Sequence, residues 1–380
     1  MIDNTETEKF NILVVNLDGL RRDKVHLIES LNELIEKSFF FNNIDTVSPY
    51  TFASIHSIMT GTYPSKHGVD AYYNILKFKK NEISTLAEIL KEKNFYTACD
   101  VNSEAILSQK GFDEYNVYDE QKIDFVKRHC DMIERISNKH FFLFLQNTET
   151  HNNYVRNIIE NNENEDDYFN SIKKNNEEYE SHLVNTENYV KKILQTLKRL
   201  DLSNKTILIF LSDHGTSLGE KIGERFYGVF LYEYTMNVFT ILHIPGYERK
   251  LIEKHCSTID IFPTITDLVN SNFSTTDEKE GISLLSIMND INYKERETFG
   301  ETGGLYGPWP SPEKHNVFCL KKNKKKIIYN DTPETWEFYN LKDDPGEINN
   351  RIIENTDMII KMKNRLIEHL MKNKIKTKIS

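Results

Sequence analysis

Four apolar runs rich in β-branched and aromatic residues, Ile12–Leu17, Phe141–Leu145, Ile207–Leu211 and Val238–Ile244, constrain this chain more than any other feature. Each is a near-continuous hydrophobic stretch of strand length, the pattern of a strand buried on both faces. Amphipathic stretches with apolar residues at three- and four-residue spacing fall between them, Ser84–Glu92 and Val184–Leu200 among them. Strands alternating with helices predict an α/β fold, a largely parallel central sheet sandwiched by helices.

A chain of 380 residues has room for one large α/β domain and an appendage. Its 38% hydrophobic and 28% charged residues, with both signs interspersed, are the composition of a folded protein. A formal net charge of -10 argues against a nucleic-acid partner, because phosphate backbones are bound through clustered Lys and Arg. The leading residues MIDNTETEKF are polar and acidic, and no apolar run is long enough to span a bilayer, so a cytoplasmic address is expected. Cys99, Cys130, Cys256 and Cys319 are widely scattered with no CxxC pair, which predicts reduced thiols rather than disulfides or a zinc knot.

Residues 1–280 are expected to form the catalytic domain and 281–380 a small α+β subdomain of shorter strands, an antiparallel hairpin and a last helix, Asn355–Lys372. SNFSTTDEK, Ser271–Lys279, has the composition of a linker between them. The Asn-, Glu- and Asp-rich stretch Asn157–Ser181 is expected to be a solvated surface excursion or helix lead-in. KKNKKK, Lys321–Lys326, lies between apolar FCL and IIY and is expected to be a solvated hairpin turn, not a nucleic-acid patch.

Ligands of such sheets collect at the carboxyl ends of strands. The first strand runs into Asp18 and Gly19, and the third into Ser212, Asp213, His214 and Gly215. Two carboxylates and an imidazole at one rim would suit Mn²⁺, Zn²⁺, Mg²⁺ or Ca²⁺, whereas taken singly each Asp could merely cap the next helix. The run Phe141–Leu145 leads into QNTETHNNY, which puts His151 on the following loop. In TVSPYTFASIHSIMTGTYPSKHG, hydroxyl residues open a short apolar helix, with Pro49 two residues ahead of Thr51. A hydroxyl there is ordinarily an N-cap.

IMTGTYPSKHG (Ile58–Gly68), SDHGTSLGEK (Ser212–Lys221), FLYEYTMNVFTILHIPG (Phe230–Gly246), STIDIFPTITDL, GISLL and WEFYNLKDDPGEINN (Trp336–Asn350) follow one another along nearly the whole chain. In that order they resemble the sulfatase family of the alkaline phosphatase superfamily. There, a strand ending in Asp precedes a nucleophile helix that finishes in Leu-Thr-Gly and Tyr-Pro-x-x-His-Gly. The resemblance implies an alkaline-phosphatase-like sandwich and one divalent metal ion held by Asp18, Asp213, His214 and the side-chain oxygen of Thr51. It implies Thr51 as nucleophile and His151 as a substrate-contacting or acid-base residue. The family's Lys or His ahead of Gly-x-Phe-Leu-Tyr falls near Tyr227, with Lys221 and Arg225 close by, so these three are the candidates for binding the substrate's charge.

The departures are equally informative. Sulfate-cleaving members carry Cys or Ser followed by x-Pro-x-Arg and convert that residue to formylglycine, whereas this window reads Thr51, Phe52, Ala53, Ser54, Ile55. No formylglycine is therefore expected. Leu17 also stands where many sulfatases place a second aspartate. The resemblance thus implies a hydrolase cleaving a phosphate mono- or diester, or a phosphonate ester, on a small-molecule or glycan-linked substrate. A sulfate-ester hydrolase without formylglycine, a phosphoryl-group transferase and a catalytically dead binding module are the alternatives.

Overall fold

Burial on both faces accounts for the strongest strands, and it is met in the computed structural model, which describes residues 7, 9–161, 165–270, 279–290, 292–305, 308 and 316–379. Strands β1 (Asn11–Leu17), β2 (Phe39–Asp45), β3 (Tyr96–Val101), β4 (Glu114–Val117), β5 (Phe141–Asn147), β6 (Thr206–Leu211), β7 (Asn237–His243), β8 (Lys250–Ile252) and β9 (Cys256–Ser257) form one sheet. Their order is β4-β3-β5-β1-β6-β7-β2-β8, with β9 also pairing β2. Only β7 runs against its neighbours, β6 and β2. β1 lies at the centre, Val15 standing between Leu145 and Phe210.

Alternate residues of each central strand enter different cores. Ile12 and Val14 join Phe142, Phe144, Ile207 and Ile209 on one face. Leu13, Val15 and Leu17 join Leu143, Leu145, Leu208 and Phe210 on the other. Neither face meets water, so the strands read as continuous apolar runs.

Helices α1 (Thr51–Thr60), α2 (Leu86–Glu92), α3 (Phe125–Ile136), α4 (Glu149–Asn161), α5 (Leu183–Arg199), α6 (Ile261–Leu268) and α7 (Asp357–Lys372) supply the covering layers. The first face is covered by Ile55 and Ile58 of α1, Leu86 and Leu90 of α2 and Phe262 and Ile265 of α6. The second is covered by Ile133 and Ile136 of α3 and Tyr189, Val190 and Ile193 of α5. α2 starts at Leu86 because Thr85 and Glu88 form a reciprocal capping box.

Of the two expectations for this stretch, a solvated excursion or a helix lead-in, the second is met where it is described: α4 is followed by helices Glu165–Phe169 and Ile172–Ser181, the latter leading into α5. Tyr154, Tyr168 and Tyr179 anchor it, all fully buried. Tyr154 packs edge-on against Tyr179 at 5.4 Å, and the Tyr179 hydroxyl donates to Gly19 O at 3.0 Å. Three tyrosines thus draw a polar segment onto the end of β1, which its average composition conceals.

Residues 271–278 of the expected linker lie outside the described residues. Beyond them, Leu284, Leu285, Ile287 and Met288 still pack in the first core. A second, antiparallel sheet follows, β10 (Thr298–Gly303), β11 (Asn316–Lys322), β12 (Lys325–Asn330) and β13 (Thr335–Asn340), in that order. Ile359, Met362, Leu366 and Leu370 of α7 cover it. Thr356 caps α7, so the helix begins after the expected Asn355.

The Lys-rich hairpin turns at Asn323 and Lys324, both at positive φ. Its ends correct the expectation of a wholly solvated turn. Lys321 is buried with Nζ 2.8 Å from Asp45 Oδ1 and 2.7 Å from Glu233 Oε2. Lys326 is buried between Glu233 Oε1 and Glu347 Oε1, 3.0 Å from each. Asp45 ends β2 and Glu233 opens the short helix Glu233–Met236, so these lysines tie the small sheet to the large one. All four cysteines are free. No helix among the described residues is long and apolar enough to cross a membrane.

Candidate metal centre and nucleophile

Adjacent parallel strands ending in register bring distant residues to one rim. Asn16 of β1 stands opposite Leu211 of β6, so Asp18 and Asp213 leave the sheet side by side. Gly19, at φ +64°, turns the chain there, and a Cβ on it would sit 2.7 Å from His151 Nδ1 and 2.9 Å from Thr216 Oγ1. Glycine is what lets His151 approach.

His214 Nδ1 lies 2.8 Å from Gly215 O, which fixes a proton on that nitrogen. The Nε2 lone pair then faces Asp18 Oδ1 at 3.6 Å, Asp213 Oδ2 at 3.7 Å and Thr51 Oγ1 at 3.2 Å. Asp18 Oδ1 and Asp213 Oδ2 are buried and have no hydrogen-bond partner. Asp18 Oδ2 accepts from Gln146 Nε2 at 2.7 Å and lies 3.3 Å from Thr51 Oγ1. Ligand atoms of Asp18, Asp213 and His214 all lie within 4.8 Å of one another. Two carboxylate oxygens and an imidazole nitrogen thus confront one another, with no other protein donor on either oxygen. Such acceptors repel unless a cation sits among them, and this oxygen-and-nitrogen donor set fits a divalent ion.

Thr51 is the first residue of α1. Tyr50 is the N-cap, and no side chain makes the capping hydrogen bond. The Thr51 hydroxyl is therefore not an N-cap but a fourth donor atom beside Asp18, Asp213 and His214.

Burial raises the carboxyl of Asp18 above its ordinary range, against the pull of His214 and Gln146. Burial and then the Asp18 charge push Asp213 up to about 6. Burial, reinforced by His214, pushes His151 down to about 3, so its imidazole is neutral at pH 7. His151 occupies the first turn of α4 rather than a loop, is buried, and leaves Nδ1 without a partner. The Tyr227 ring stacks on His214 at 4.8 Å and leans on His151 at 4.7 Å. Tyr72 stacked on Tyr50 at 4.4 Å, with Phe52 edge-on at 6.4 Å, lines the aromatic side of the same region.

Of the three candidates for binding substrate charge, only Tyr227 reaches this centre. Lys221 Nζ donates to Glu347 O and lies over the rings of Tyr232 and Tyr339, at 4.5 and 5.5 Å. The Arg225 guanidinium bonds Ile158 O at 3.4 Å and faces Phe226 at 5.5 Å. Carbonyl and aromatic partners hold both cations in structural work. One residue of the site, Gln146, and one buried carboxylate close to Tyr227 in sequence, Glu224, had weaker signals. Gln146 is a polar interruption at the end of an apolar strand, opposite Asn16. Glu224 sits three residues before Tyr227, fully buried, its Oε1 accepting from Val229 N and Phe230 N at 2.8 Å each.

The family model Sulfatase matches residues 10–271, and that of the C-terminal part of N-sulphoglucosamine sulphohydrolase matches 223–376. Arylsulfatase K of Bos taurus is 28% identical over 181 residues, 45% of this chain and 32% of that protein. An arylsulfatase of Clostridium perfringens is 25% identical over 179 residues, 46% of this chain and 35% of that protein. The matches thus span about a third of the length of these relatives. Among solved structures, a 2-O GAG sulfatase superposes with a TM-score of 0.81 at 16% identity, covering 97% of this chain and 93% of that one. A phosphonate monoester hydrolase from Silicibacter pomeroyi superposes with a TM-score of 0.73 at 14% identity, covering 96% of each. With the strand-end cluster in place and the family model matched over most of the chain, this protein belongs to the sulfatase family of the alkaline phosphatase superfamily.

Proposed function

We propose that this protein is a metal-dependent hydrolase that cleaves a phosphate mono- or diester, or a phosphonate ester, with Thr51 as nucleophile. The observation that carries the reading is the Thr51 hydroxyl, released from capping and lying 3.3 Å from Asp18 and 3.2 Å from His214. Formylglycine arises by oxidising the CH₂ of Cys or Ser to an aldehyde. The Cβ of threonine carries a methyl group, so oxidation there ends at a ketone.

Asp18, Asp213, His214 and Thr51 would hold the ion, which when bound favours deprotonation of a hydroxyl and offsets charge on the ester's non-bridging oxygens. Thr51 Oγ1 gives up its proton to solvent and attacks phosphorus, a P–O bond to Thr51 forms, and the bond to the leaving oxygen breaks as that oxygen takes a proton from solvent to depart as the alcohol. Gln146 steadies Asp18 through its 2.7 Å bond. Neutral His151 offers a ring N–H to the departing oxygen, and Tyr227 offers its hydroxyl to the anionic group. Water then attacks phosphorus and frees Thr51.

The family matches favour a second reading, sulfate-ester hydrolysis without formylglycine, since the relatives carry arylsulfatase and sulphohydrolase names. One panel separates the two: aryl phosphate monoester, phosphate diester, phosphonate monoester and sulfate, each with Mn²⁺, Zn²⁺, Mg²⁺ or Ca²⁺. Phosphoester or phosphonate cleavage abolished by Thr51→Ala, with the thermal transition retained, is the expected result. Cleavage of sulfate alone overturns the substrate class, and an active Thr51→Ala protein overturns the nucleophile.

A further inference from the structure

Glu120 lies outside the metal cluster, is exposed, and yet is fixed. Its Oε2 accepts from Asn102 Nδ2 and from Asn152 Nδ2, each at 2.8 Å. Both amides lead back to the reaction centre. Asn102 donates its backbone N–H to Gln146 Oε1 at 3.1 Å, and Gln146 Nε2 holds Asp18 Oδ2 at 2.7 Å. Asn152 follows His151 on the first turn of α4 and also bonds Thr148 Oγ1 at 2.8 Å. The Glu120 charge is accordingly felt at Asp18, His151 and Tyr227.

Among the described residues no Lys or Arg pairs with Glu120. Lys122, the nearest cation in sequence, is 3.3 Å from Asp119 instead. Glu120 Oε1 has no protein donor among the described residues, while two neutral amides saturate Oε2. A carboxylate oriented in this way is a ready acceptor for a cation. Its position poses an electrostatic problem, because a fixed negative charge at the rim repels an anionic ester. The repulsion turns to attraction if the part of the substrate that reaches Glu120 is positive.

Resting on the hydrolase reading above, we infer that Glu120, held by Asn102 and Asn152, receives a primary ammonium group on the leaving alcohol. The favoured substrate is then zwitterionic, anionic at the ester and cationic on the leaving side. The ammonium could belong to a small amino alcohol or to an amino sugar, which share the N–H donors that Oε1 needs.

Two measurements on the full chain test this. The first compares kcat/KM for methyl 2-aminoethyl phosphate and methyl 2-hydroxyethyl phosphate in the wild type and in Glu120→Gln. The wild type should prefer the ammonium ester by about fivefold, the scale of a partly exposed ion pair, and Glu120→Gln should bring the ratio near one. The second uses saturation-transfer NMR to follow binding of ethanolamine against ethylene glycol, and glucosamine against glucose. Binding of either amino compound that weakens in Glu120→Gln supports the subsite, and which of the two binds better identifies the source. Equal binding of amino and neutral partners, no binding of either amino compound, or a preference that survives Glu120→Gln overturns it. Inert esters alongside amino compounds that bind through Glu120 would sink the Thr51 chemistry and leave the subsite standing.

Discussion

Glu224→Gln should stabilise this protein at alkaline pH and do little at acid pH. Glu224 is fully buried, and its side chain faces the Tyr234 hydroxyl. Its Oε1 accepts from Val229 N and Phe230 N, which favours the charged form, but burial outweighs this and raises the carboxyl from 4.5 to about 7. Because the folded state holds the proton more tightly than the unfolded chain, stability falls as pH rises from about 4.5 to about 7 and stays reduced above. A gap of about 2.5 pH units corresponds to about 3 kcal/mol. Glutamine keeps the acceptor for both backbone N–H groups and sets an amide against the Tyr234 hydroxyl, which accepts as well as donates. For a chain of 380 residues, about 3 kcal/mol moves Tm by about 4 °C. Thermal melts of wild type and variant at pH 5 and pH 8 isolate the effect, since other titrating groups cancel in the difference. A Tm gain at pH 8 that shrinks toward zero at pH 5 is expected. A shift of equal size at both, or a loss at pH 8, would refute the reasoning.

In chelator at pH 8, Asp213→Asn should raise Tm, because the Asp213 carboxyl is pushed up to about 6 and its charged form is disfavoured there. The predicted gain is about 3 kcal/mol; with excess Mn²⁺ the order should reverse, and metal analysis should find the variant depleted. Lys321→Met leaves buried Asp45 and half-buried Glu233 with less positive charge, and denaturant melts should show a loss of about 3 kcal/mol or more. Lys221→Met should leave KM unchanged while costing about 1 kcal/mol of stability, because Lys221 serves Glu347 O and the Tyr232 ring rather than substrate. A raised KM with unchanged Tm would return Lys221 to the site.

The sheet was legible because its central strands are buried on both faces, which writes them into the sequence as apolar runs without a polar phase. The acidic cluster was legible because parallel strands end on one edge, so Asp18 and Asp213 could be paired from their positions after β1 and β6. The side chains that serve the rest of the site left fainter marks. Lys221 and Arg225 lie close to Tyr227 in sequence, but Glu347 O and Ile158 O, far along the chain, decide where their charges go. Among the polar residues 157–181, Tyr168 and Tyr179 give the helices their buried anchors, and no periodic apolar stripe announces them. In KKNKKK the turn was readable, whereas the burial of Lys321 and Lys326 depends on Asp45 and Glu233 from the other sheet.

The dead-module alternative can be weighed on electrostatic grounds. Asp18 Oδ1 and Asp213 Oδ2 are buried without partners, 3.6 and 3.7 Å from a nitrogen lone pair. Without a cation each burial opposes folding, and replacing such groups by apolar ones would relieve it. Thr51 adds to this imbalance, since a hydroxyl opening α1 could stabilise the helix by about 1 kcal/mol as its N-cap, yet Tyr50 holds that position without a side-chain bond. A fold relieved of catalytic duty has no physical reason to keep both arrangements at the same strand edge. A fold that binds a divalent ion and aims a hydroxyl at an ester requires both, because the ion offsets the carboxylates and brings the uncapped oxygen into use.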